Sequence, residues 1–132
     1  MNNFKIELEE RLIGFAAMVL RASEALPGHL KDSYLAGQIA TAGIAPALSY
    51  SDAQPADTPK EFLNKLKGCL KALRENHIYW RIVKKVSEPD AQHIDPLLEE
   101  CSHLTALLAK SVKTKKQNMA EDGKTKAQLE TA

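Results

Sequence analysis

Between Gln38 and Trp80 the chain reads QIATAGIAPALSYSDAQPADTPKEFLNKLKGCLKALRENHIYW, a stretch of small residues leading into a strongly capped basic helix. Thr58-Pro59-Lys60-Glu61 offers an N-cap hydroxyl, a proline at the first helical position and a glutamate placed to complete a capping box. From that start Phe62, Leu66, Cys69 or Leu70, Leu73, His77 and Trp80 trace one apolar stripe. Upstream, Ala36, Gly37, Ala40, Ala42, Gly43, Ala45 and Ala47 leave a helix from about Leu30 to Asp52 nearly free of bulk. Small side chains let a neighbouring backbone come close, so this helix is expected to be the most enclosed of the set. Pro46 lies inside it and removes one backbone hydrogen bond, which predicts a kink or short break near Ala42.

Two further helices complete the pattern. Leu8, Leu12, Phe15, Val19, Ala22 and Leu26 alternate steps of four and three, placing them on one helical face that ends at Pro27-Gly28. A last helix opens at Asp95-Pro96, or slightly earlier, and continues through Leu97, Cys101, Leu104, Leu108 and Ser111. Short connections at Pro27-Gly28, at residues 54–57 and around Glu88-Pro89 favour antiparallel neighbours. The expectation is an all-α protein, an antiparallel up-down-up-down four-helix bundle over residues 1–115. From residue 116 to 132 the chain becomes polar and loses its period, which predicts a disordered tail, while Pro55, Pro59 and the Thr58 cap should order the loop before them. One hundred and thirty-two residues suit a single core, and aromatics at 5% fit Leu and Ala helix packing better than a sheet. Ile13, Leu20, Leu63 and Leu98 fall off the main stripes and predict an apolar surface for a neighbouring subunit to cover.

Membrane and catalytic classes find little support. No apolar run approaches the roughly 18 to 20 residues of a membrane span, and the start MNNFKIELEERL is acidic where a secretory signal is basic and then apolar. A cytoplasmic setting is expected. Cys69 and Cys101 lie on apolar stripes without CxxC spacing and read as buried free thiols. His29, His77, His93 and His103 share no metal-ligand spacing, and Glu99-Glu100 suits a helix surface better than acid-base work. There is no HExxH, no Gly-rich phosphate loop and no serine elbow, so no catalytic, metal or cofactor residue is expected.

The formal net charge of +1 conceals a strong segregation. Residues 60–85 carry eight basic and two acidic side chains, residues 1–59 four and seven, and residues 86–112 one and five. Lys60, Lys67, Lys71, Arg74, Arg81, Lys84 and Lys85 therefore form a candidate contact set for a nucleic-acid backbone or a partner. The same residues also suit a solvated helix face whose field the acidic first and fourth helices cancel.

Gln38 and Ile39, followed by Gly43, Pro46, Tyr50, Ala53 and Gln54, resemble the signature of four-helix-bundle proteins related to the protein encoded by intervening sequences in 23S ribosomal RNA genes. Around it, RLIGFAAMVLRASEALP resembles that family's opening helix, and Phe62, Lys65, Leu66, Leu70, Lys71, Arg74 and Glu75, with the Tyr79-Trp80 pair, resemble the next. The resemblance spans about Arg11 to Lys115. Where the family commonly has Arg-Ser-Gly-Thr-Ser this chain has Thr41-Ala42-Gly43-Ile44-Ala45, and Ser49 and Asp52 replace its Asn and Glu. What the resemblance implies is a homopentameric ring of bundles without an agreed enzymatic activity, similar in architecture to a nucleic-acid-binding accessory protein of diversity-generating retroelements. The expectation is a non-enzymatic, self-associating scaffold, with nucleic-acid binding through the basic helix as the alternative.

Overall fold

The computed structural model describes residues 3–88 and 91–131. Helix α1 spans Asn3–Glu24, α2 Gly28–Lys31, α3 Tyr34–Ala53, α4 Pro59–Ser87 and α5 Asp95–Thr131, with a single 3₁₀ turn at Gln92–Ile94 before α5. The fold is all-α, and no strand occurs among the described residues. Helix α1 packs on α3 and α5, and α4 packs on the same two, so α1 and α4 hold opposite corners of a four-helix bundle. Pro89 and Asp90, expected in the last connection, lie outside the described residues.

Periodicity translates directly into the core. Leu8, Leu12, Phe15 and Val19 of α1 are buried against Leu66, Cys69, Leu73 and Trp80 of α4 and Leu97, Cys101, Leu104 and Leu108 of α5 in one cluster. Both cysteines are free and buried, and burial pushes the Cys69 thiol up to about 12 and Cys101 up to about 11. Leu63 is buried in this core and Leu98 is half-buried, whereas Ile13 and Leu20 do stand exposed as their register implies.

The helix starts follow side-chain chemistry. Thr58 Oγ1 accepts the Glu61 N–H at 3.1 Å, and Glu61 Oε2 accepts the N–H of Asp57 at 3.2 Å, one residue before the position an ideal capping box uses. Ser33 caps α3 by accepting the Ala36 N–H at 3.2 Å, while its own hydroxyl donates to the Leu30 carbonyl. That cap splits the segment expected to be helical from Leu30 onward. Ser33 takes an extended conformation, so the four-residue α2 and the true α3 are separate elements.

Pro46 does not interrupt α3, contrary to the break expected near Ala42. The carbonyl that its missing N–H leaves free is Ala42 O, and Asn76 Nδ2 of α4 donates to it at 2.8 Å while also donating to Ala72 O at 2.8 Å. Asn76 is fully buried, and it takes the place on the apolar stripe where the spacing suggests His77. The Cys69 thiol donates to Pro46 O at 3.3 Å beside it. Helix α3 is enclosed on this side and on the Gly43 side; six of its 20 residues are buried against eight of 29 in α4, so it is the most enclosed of the long helices even though Tyr34 and Leu48 are exposed.

The segment expected to be a disordered tail is helical as far as Thr131. The described side chains of α5 after Val112 face solvent apart from half-buried Lys115 and Met119. The cause is propensity: Lys, Gln, Met, Ala and Glu dominate residues 115–130 and no proline interrupts them.

Candidate functional site

The seven basic residues singled out in the sequence do not act as one group. Lys67, Lys71, Arg74, Ile78, Ile82 and Lys85 follow one another at steps of four and three, so they share the outer face of α4, opposite its core stripe. Lys67, Lys71 and Arg74 line a groove of about 690 Å³ whose other walls are Leu70, Glu75, Ile78, Tyr79 and Ile82 of α4 and Val112 and Lys116 of α5. Lys60, Arg81 and Lys85 are exposed on α4 but outside this groove. Lys84 is removed from the set, because its ammonium pairs with Asp95 at 2.6 Å at the start of α5.

The groove mixes charge with apolar surface that the charge pattern alone conceals. Ile78, Ile82 and Val86 are 52%, 48% and 52% exposed, a β-branched row at four-residue spacing that a well-solvated helix face would not carry. Its sequence signal was available in that spacing, whereas Val112 and Lys116 join the groove only through the packing of α5 on α4. Among the described residues no ion pair engages Lys67, Lys71, Arg74 or Lys116.

A second apolar row lies at the opposite corner. Ile6, Ile13 and Leu20 of α1 are 42%, 48% and 41% exposed, and with Glu10, Ala17 and Glu24 they form that helix's outward stripe. Arg11, on the side of α1 that faces α5, is held to that helix by a bidentate pair with Glu100, Nη2 to Oε1 at 2.6 Å and Nε to Oε2 at 3.3 Å. That hydrogen bond raises the Arg11 pKa above its ordinary value despite partial desolvation.

The residues that carry the family resemblance divide between packing and surface. Gly43 faces α1 so closely that a Cβ there would lie 2.4 Å from Val19 Cγ1. Pro46 and Tyr50 are buried; desolvation, then the Cys69 and Glu9 charges, raises the Tyr50 phenol pKa against a hydrogen bond from Gln54 that lowers it. Phe62 is half-buried under Lys115, whose ammonium sits 5.4 Å from the ring centroid. Tyr50 and Phe62 share a smaller groove of about 470 Å³ at the end of the bundle where α1 begins, with Phe4, Lys5, Lys110 and Lys115 among its walls. Lys65 is half-buried, while Gln38, Asp52 and Glu75 are exposed on separate surfaces, so these positions do not converge on one site.

No cluster of three or more His, Cys, Asp or Glu side chains suited to a metal ion exists among the described residues, and no described helix is long and apolar enough to cross a membrane. His103 lies 4.0 Å from Glu100, and His77 is half-buried on α4 beside α5.

No family model matches this sequence, and no curated protein does. Among solved structures, the chain is similar to a protein of unknown function from the S23 ribosomal protein family of Bacteroides thetaiotaomicron, determined at 1.70 Å resolution. The two share 17% identity, with a TM-score of 0.75 over 83% of this chain and 97% of the other. At that identity the likeness establishes a common helical fold and nothing further.

Proposed function

We propose that this protein is a non-enzymatic, self-associating helical-bundle scaffold, related to the four-helix-bundle proteins of 23S ribosomal RNA intervening sequences and built as a closed ring, a pentamer by that resemblance. The observation that carries the reading is the pair of exposed apolar rows, Ile78-Ile82-Val86 on α4 and Ile6-Ile13-Leu20 on α1. Rows of this kind on a small domain are normally covered by another subunit. The helical fold shared with the similar S23-family structure supports the family assignment. Light scattering with size exclusion at micromolar concentration tests it. A mass several times 14.6 kDa is expected, and a monomer would overturn the proposal.

A second reading draws on one observation, the convergence of Lys67, Lys71, Arg74 and Lys116 on one groove without an acidic ion-pair partner among the described residues. Such a groove would hold a phosphate backbone in a sequence-independent, salt-sensitive manner. The scaffold reading expects no appreciable gel shift of RNA or DNA at about 150 mM salt, where non-specific binding is typically about 10⁻⁴ to 10⁻⁶ M. Tight binding there that charge reversal at Lys67, Lys71 and Arg74 abolishes would place nucleic acid first.

A further inference from the structure

The two apolar rows belong to a single contact. We infer that the outer face of α4 on one copy receives the outer face of α1 from the next, in a head-to-tail interface rather than a symmetric α4–α4 or α1–α1 pairing. This rests on the self-association proposed above and specifies which surfaces meet.

Charge complementarity is the first reason. The α4 row is flanked by Lys67, Lys71, Arg74, Arg81 and Lys85 against a single acid, Glu75, so two α4 faces brought together carry a strong excess of like charge and repel. The α1 row is interrupted by Glu10 and closed by Glu24, with Glu9 on one flank and Arg21 on the other, which leaves the row acidic on balance. Each stripe is matched in sign by the other and not by itself.

Height along the bundle is the second reason. Gly43 touches Val19, and the adjacent Ala42 accepts from Asn76, so Val19 and Asn76 are level. At the bundle's end Phe4 and Phe62 line one groove and are level too, with nearly the same numerical offset between α1 and α4. That constant offset puts Glu10 level with Lys67, Leu20 with Ile78 and Glu24 with Arg81. A rotation about an axis running along the helices leaves height unchanged, so in a cyclic assembly acid meets base and apolar meets apolar without any slip.

The position of the two faces permits closure. They lie on opposite corners of the bundle, so one copy can engage two neighbours at once. The groove on α4 takes two walls from α5 and none from α3, which tilts it to one side and turns the chain of contacts into a curve instead of a straight filament.

Charge reversal in four variants tests the pairing, each checked for native helicity by circular dichroism and its mass measured by sedimentation equilibrium. Lys67→Glu with Arg81→Glu reverses α4, and Glu10→Lys with Glu24→Lys reverses α1; each pair alone is expected to reduce the assembly to monomer. All four substitutions in one chain restore opposite signs at both contacts and are expected to restore the wild-type mass. An oligomer whose mass is unmoved by the α1 reversal, or a quadruple variant that stays as dissociated as the α4 reversal, overturns the pairing while leaving self-association standing. A wild-type monomer overturns self-association itself, and the pairing with it.

Discussion

Substituting Gly43 by alanine tests how tightly α1 and α3 are held together. The added Cβ would sit 2.4 Å from Val19 Cγ1, 2.6 Å from its Cβ and 2.9 Å from its Cγ2, well inside the roughly 3.5 to 4.0 Å of ordinary carbon contact. Val19 is fully buried, and its Cβ is fixed to the α1 backbone, so no rotamer change clears the way. The two helices must separate by about 1 Å, which places the overpacking cost near the top of the usual range, about 3 kcal/mol. Alanine recovers about 1 kcal/mol over glycine inside a helix, leaving a net loss of about 2 kcal/mol. Gly37, six residues earlier on the same helix, is the control: a Cβ there meets nothing within 4 Å, so Gly37→Ala is expected to gain about 1 kcal/mol. Urea unfolding at one fixed protein concentration measures both, since assembly makes apparent stability depend on concentration. A Gly43→Ala variant as stable as wild type would refute the close approach, and rescue by Val19→Ala would contradict the Cβ contact at 2.6 Å.

Three other outcomes follow from the same packing. Asn76→Ala strands the Ala42 carbonyl and is expected to cost about 1 to 3 kcal/mol; in a Pro46→Ala background, where residue 46 regains its N–H, the cost should shrink, and an additive double-mutant cycle would refute the pairing. Cys69 and Cys101 ionise in the native protein only near 12 and 11, against an ordinary 9.0, so both should resist a thiol reagent at pH 8 until the chain unfolds. Because the unfolded thiols lose protons first, native stability should fall as pH rises above about 9, and a flat pH profile of chemical unfolding from there to pH 10.5 would argue against their burial. Deleting residues 120–132 removes helix that is exposed wherever its side chains are described, so neither melting temperature nor oligomer mass should change; a large drop in either would make the segment part of the assembly.

The parts of the fold legible in the sequence are those governed by local rules. The α1 stripe and the Thr58-Pro59 start each depend on a few neighbouring residues, and both stand where the spacing puts them. Asn76 was not legible, because its reason for being buried is a carbonyl left free on another helix by Pro46. The split at Ser33 was missed for a related reason: a serine inside an apparently helical run marks a cap only once its hydroxyl is seen to accept the Ala36 N–H. For the candidate site, charge counting found Lys67, Lys71 and Arg74 but not the apolar floor between them. Ile78 and Ile82 were hidden by counting only the core-facing stripe, and Lys84 was retained because its partner Asp95 is brought near only by the turn into α5.

Helix α5 outlasts its neighbours. At 37 residues it is about 55 Å long, against about 33 Å for the 22 residues of α1, and the part after half-buried Met119 runs on beyond the core. Cyclic symmetry would send every such rod out through the same end, making a ring with one smooth rim and one crowned by parallel spokes. A fusion or binding segment attached at the end of that helix would then be displayed in several copies, all facing one way and held about 18 Å clear of the core. Such an object is a directional, multivalent display, and its reach is set by a single uninterrupted helix.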